Sequence, residues 1–110
     1  MNDADALPDG PFQLEDLLAV QSNAIVSRTL LDGSGGTVTL FAMDGGQRIS
    51  EHTAPHGALL QVLDGRVTVT IDGEDHGLET GETITLPTGV PHAVGAPVEC
   101  TFLLTMVRPE

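Results

Sequence analysis

The chain has 110 residues, of which 40% are hydrophobic and 18% charged, with a formal net charge of -12. That length suits one domain, and that apolar content excludes a disordered chain. Four arginines, no lysine and 16 acidic residues exclude the basic footprint that nucleic acid requires, and disfavour an anionic membrane surface for the same reason.

Aromatic residues are scarce: three Phe, no Trp and no Tyr. The core must therefore come from Val, Leu, Ile and Thr, and with 13 Gly and 7 Pro this selection favours short strands joined by many turns. The acidic balance fits an ordinary acidic protein with its charges on loops; a sharper reading is adaptation to a high-salt cytoplasm, where screening relieves self-repulsion. Cys100 is the sole cysteine, so no intrachain disulfide forms, and its apolar setting points to inert burial. The first residues carry no basic and then apolar signal pattern, and no apolar run approaches a membrane span, so a soluble, cytoplasmic protein is expected.

In chain order, residues 1–11 are polar and punctuated by Pro and Gly, as in a mobile arm. Phe12 to Val20 spaces its apolar residues for a short helical turn and no more. Residues 1–20 are thus expected to form an arm with a short helix, and residues 21–110 a β-barrel. Ala24–Leu31 and Thr37–Met43 read as strands separated by the cluster Asp32-Gly-Ser-Gly-Gly36. Asp44-Gly-Gly46 turns the chain into Gln47–Glu51. Ala58–Leu63 is nearly continuous in apolar character and stops at Asp64-Gly65. Arg66–Asp72 alternates cleanly, with Val67, Val69 and Ile71 expected inward, and Asp72-Gly73 is a hairpin signal. Short strands are expected at His76–Leu78, Thr83–Leu86 and His92–Val94. A longer one at Glu99–Val107 sets Cys100, Phe102, Leu104 and Met106 on one face. The class is all-β, with turns spaced as a barrel or sandwich requires.

Three of the four histidines sit in turn-then-strand contexts. His52 and His56 flank Thr53-Ala-Pro55, and His92 follows Pro87-Thr-Gly-Val-Pro91. These stretches resemble the two signatures of the cupin superfamily. In the first, Gly46, five residues, His52 and the closing Gly65 fit the frame of a glycine, five residues, His-x-His, a glutamate and a final glycine. In the second, Gly81, Pro87, Gly89 and His92 match every position, although the Asn that often follows is Ala96. More narrowly, Ser50-Glu-His-Thr-Ala-Pro55, Leu60-Gln-Val-Leu63 and Leu103-Leu-Thr-Met106 look like short single-domain cupins of the conserved-barrel type. The resemblance implies a double-stranded β-helix, or jelly-roll, and a site at the barrel mouth.

Carried over position by position, the resemblance keeps His52 and His92 as metal ligands. The second histidine of the first signature is Ala54 and its glutamate is Ala58. A divalent transition metal (Zn, Ni, Mn or Fe) would need a replacement donor, and His56, in a loop that strand alternation does not constrain, is the best candidate. The metal hypothesis is therefore His52, His56 and His92, with Gln47 and Gln61 as outer supports. Alternation turns Gln61 away from the interior and sets Gln47 opposite His52 unless a bulge intervenes. His76 reads as a surface hairpin residue, and Glu51 points away from the cavity. The bland alternative for His52 and His92 is that they line the mouth and hydrogen-bond to each other or to water.

Three functions stay open: a binding module for a small polar or anionic metabolite, a metalloenzyme of the dioxygenase or isomerase type, and a metal-free epimerase using a histidine base. The cavity lining is expected to include Leu60, Val69 and Phe102. Outward apolar residues such as Leu59, Leu63 and Leu103 predict a homodimer.

Overall fold

Among the described residues, nine strands follow a 310 turn at Leu14–Leu17. They are β1 (Ile25–Gly33), β2 (Gly36–Met43), β3 (Arg48–His52), β4 (Gly57–Asp64), β5 (Arg66–Ile71), β6 (Glu74–Glu79), β7 (Thr83–Leu86), β8 (His92–Gly95) and β9 (Cys100–Val107). The computed structural model describes residues 7–108, so part of the expected N-terminal arm lies outside the described residues. The turn is tied to the body by Arg28, whose Nη1 donates to the Leu17 carbonyl at 3.2 Å.

Two sheets build the barrel, one ordered β1-β2-β9-β4-β7 and the other β3-β8-β5-β6. Every neighbouring pair is antiparallel. The non-consecutive neighbours β2-β9, β4-β7, β4-β9, β3-β8 and β5-β8 are the crossovers of a jelly-roll, and they explain how chain segments 40 residues apart meet. The turns form where the sequence supplies the residues for them. Asp72 and Gly73 both take positive φ (51° and 83°), the pair of left-handed conformations that a two-residue hairpin demands and that Asp and Gly tolerate. Gly65 (φ 84°) leaves no room for a side chain: a Cβ there would overlap the Glu99 carbonyl oxygen.

Alternation delivers the core. On β5, Val67 and Val69 are buried while Ile71 packs at the margin of the core. On β9, Cys100 and Phe102 are buried, with Leu104 and Met106 half-buried on the same side. Met43, Leu60, Val62 and Leu86 complete the inner surface from the facing strands. Outward-facing Leu59 is 48% exposed, while Leu63 and Leu103 are half-buried. Among the described residues, no helix is long and apolar enough to cross a membrane.

Candidate functional site

The pairing of β3 with β8 sets the site. Arg48 and Ile49 pair with Gly95 and Val94, the register then shifts, and His52 pairs directly with His92. That irregularity changes which side of β3 faces inward just before His52. Both histidines then line one cavity of about 120 Å³ with Phe41, Ile49, Leu60, Leu86, Val94, Phe102 and Leu104. Phe41 and Phe102 stack at 4.9 Å with their planes 7° apart and make a flat wall.

His92 is 5% exposed, whereas His52 stands at the open rim. The rings meet edge to face, with centroids 4.3 Å apart and a 68° interplanar angle. Their Nε2 atoms are 3.1 Å apart. Each Nδ1 faces a backbone carbonyl two residues earlier, His52 that of Ser50 at 3.0 Å and His92 that of Val90 at 3.3 Å. A carbonyl oxygen accepts and cannot donate, so both Nδ1 atoms must carry the proton. Two neutral rings in that tautomer bring their unprotonated Nε2 atoms to the 3.1 Å contact with no proton to share. The arrangement is satisfied when one cation, a proton or a metal ion, lies between them. Burial is the first cause that holds the His92 pKa below its usual value, opposed by the Val90 carbonyl and reinforced by the His52 charge.

The structure brings His52 and His92 together and does not bring His56 to them. His56 lines a separate recess with Pro55, Gly57, Thr88, Val107 and Arg108, and its Nδ1 is buried without a hydrogen-bond partner. Among the described residues, no group of three or more His, Cys, Asp or Glu side chains is gathered as a metal cage. Gln47 lies against Gly46, Arg48, Thr68 and Gly95–Pro97, a different surface recess. Gln61 is exposed on the outer face of β4, the side that alternation assigns it. His76 is near the surface, 3.5 Å from Glu74. Ala58, at the place of the family's glutamate, is buried in the core between Leu86 and Met106 of the neighbouring strands.

Of the expected lining, Leu60 and Phe102 face the cavity, but Val69 does not; it is packed into the closed part of the core. The carbonyls of Ser50 and Val90 carry no sequence signal, since any residue supplies one. Ile49, Leu86 and Val94 were legible only as alternating apolar positions.

The comparisons agree with the fold. The sequence model of the cupin domain matches residues 39–107. A conserved protein of unknown function from Streptococcus pyogenes is similar at 33% identity and a TM-score of 0.89, covering 94% of this chain and 91% of its own. A cupin 2 conserved barrel domain protein from Leptotrichia buccalis is similar at 32% identity and a TM-score of 0.85. That match covers 88% of this chain and 47% of the other, so this chain spans about half the length of that protein. A cupin superfamily protein from Desulfitobacterium hafniense shares the fold at 20% identity, with a TM-score of 0.88 and 94% of each chain covered. No curated protein matches the sequence. The chain belongs to the cupin domain family.

Proposed function

We propose that this protein is a binding cupin, in which His52 and His92 hold one divalent transition-metal ion and a small molecule enters the barrel cavity beside it. The observation that carries this reading is the 3.1 Å gap between the two Nε2 atoms, with both Nδ1 atoms committed to backbone carbonyls. Two imidazoles bound to one ion at about 2.0–2.1 Å each place their nitrogens about this far apart. Imidazole is a donor suited to Zn, Ni and Fe, and the carbonyl contacts fix the tautomer as a metal-bound histidine needs. Two protein donors leave the ion's other positions to water and ligand. When bound, the metal supplies Lewis acidity at the cavity wall. The chain's own groups orient the two rings, exclude water with apolar side chains and admit the ligand at the exposed His52 rim. His56 would join as a third donor only if the turn from Thr53 to Gly57 rearranged.

Equilibrium dialysis against Zn(II) tests the reading. Wild type is expected to take up about one equivalent. His52→Ala and His92→Ala are expected to lose it, and His56→Ala to bind within about twofold of wild type, because His56 lies in a separate recess away from the pair. Wild type that takes up no zinc, or His52→Ala that keeps it, contradicts the reading.

The reading takes the protein as a cytoplasmic homodimer paired through the outer face of the five-stranded sheet, where Leu59 and Val107 are 48% and 63% exposed beside Thr85 and Thr105. Leu59→Glu should convert a dimer into a monomer in gel filtration; a wild-type monomer at micromolar concentration contradicts the pairing.

A further inference from the structure

The cavity wall limits what can enter the barrel. This step rests on the part of the reading above in which the barrel takes a small molecule, and not on the metal. Apart from His52 and His92 the lining side chains are all hydrocarbon, among them the Phe41–Phe102 stack, Leu60, Leu86 and Leu104. The Nδ1 protons of the two histidines are committed to the Ser50 and Val90 carbonyls, so each ring has only an unprotonated Nε2 left to offer. The lining side chains thus present hydrogen-bond acceptors, no free donor and no carboxylate. What the metal-free site lacks is a proton donor.

We propose that the ligand is a short-chain aliphatic alcohol. Its hydroxyl donates to an Nε2 of the His52–His92 pair, and its hydrocarbon body lies against the Phe41–Phe102 wall, Leu60 and Leu104. Size limits the body. An apolar cavity of about 150 Å³ accepts benzene, and the cavity here is about 120 Å³. In proportion it takes about five heavy atoms, as in a butanol. Charge excludes the neighbouring classes. A carboxylate brings only further acceptors to the pair, and the hydrocarbon wall gives it no partner. The net charge of -12 also opposes its approach. An ammonium can donate, but with no Asp or Glu in the lining its charge would be buried unbalanced against Leu and Phe side chains. An ether fits the wall yet leaves both Nε2 atoms unpaired. A hydroxyl supplies the proton without a charge.

Wild-type protein stripped of metal by chelation is titrated at pH 8, where imidazole is neutral. Carbon-13 NMR follows the methyl groups of Leu60, Leu86 and Leu104 as isobutanol, its isomer isopropyl methyl ether, isobutyrate, isobutylamine or ethanol is added. Isobutanol is expected to shift these methyls with a Kd on the order of millimolar, as suits so small a ligand. The ether should bind about fivefold more weakly for want of one hydrogen bond. Isobutyrate and isobutylamine should bind at least about tenfold more weakly, for their charge. Ethanol should bind about tenfold more weakly, because it buries less hydrocarbon. Leu104→Phe, which narrows the cavity, should weaken isobutanol at least about threefold. No shift of these methyls with isobutanol, an ether that binds as well, or either charged analogue binding as tightly overturns the assignment. Zinc uptake is read separately by dialysis, so the failure of either assignment does not carry the other with it.

Discussion

The two ends of the barrel interior are built by the same alternation and come out opposite. At one end Met43, Val62, Val67 and Cys100 are fully buried and interlock. Met43 pairs with Cys100 across β2 and β9, and Gly65 comes so close to Glu99 and Cys100 that no side chain fits. At the other end, two residues along the same strands, Phe41 pairs with Phe102, and Leu104 and Leu60 lie opposite one another around a cavity. The difference lies in what the facing strands contribute. β8 brings His92 to the open end, where its ring contacts the Val90 carbonyl and His52, and Ala96, just past the strand, joins the core. One end closes because its side chains complement each other; the other stays open because its polar pair must keep its partners.

The largest effect that can break this comparison is on packing. Met43→Ala is expected to cost about 3 kcal/mol in urea unfolding, since it empties a fully enclosed site. Leu104→Ala, which enlarges an existing cavity at a half-buried position, should cost about 1 kcal/mol. Equal costs would mean that the two ends are packed alike.

Thiol chemistry sharpens the closed end next. Burial pushes the Cys100 thiol up to about 11 from 9.0, with the Met43 backbone hydrogen bond opposing and the Asp64 charge adding to it. A raised thiol pKa favours the neutral form in the folded state. The associated stability is full below pH 9.0, where both states are protonated, and is lost as pH rises through about 11. Cys100 should react with a disulfide reagent at pH 8 at least about a hundredfold more slowly than in urea-unfolded protein. Equal rates would place a breach at the closed end.

At the open end the expected pH effect is smaller and of the opposite sense. His92 has a lowered pKa, chiefly from burial. The unfolded chain takes up its proton near 6.5 while the folded state resists, so metal-free protein should lose stability as pH falls below 6.5. His92→Gln should flatten that slope; an unchanged slope would assign the acid sensitivity elsewhere.

Much of the architecture was legible in the residues. The turns at Asp64-Gly65 and Asp72-Gly73, the alternation of Val67, Val69 and Ile71, and the Gly81–His92 signature located the strands because they report local backbone demands. The meeting of His52 with His92 was also legible, through the paired signatures. Its tautomer was not, because that depends on the register shift in β3 and on carbonyls that any residue would supply. His56 was beyond sequence reasoning for a related reason: a loop has no alternation to fix its direction, and here it turns to the recess beside Arg108. The lining of the cavity depended on how side-chain volumes sum across six strands, which is why Val69 was placed there and Leu86 and Val94 were not.

The central claim is that both Nε2 atoms offer lone pairs to one cation. Nitrogen-15 NMR of the imidazole rings, with and without one equivalent of Zn(II), tests it most directly. The account predicts protonated Nδ1 on both His52 and His92, with both Nε2 resonances shifting together as zinc is added. An Nε2 proton that persists on either ring after zinc addition, or Nε2 shifts confined to one of them, would contradict it.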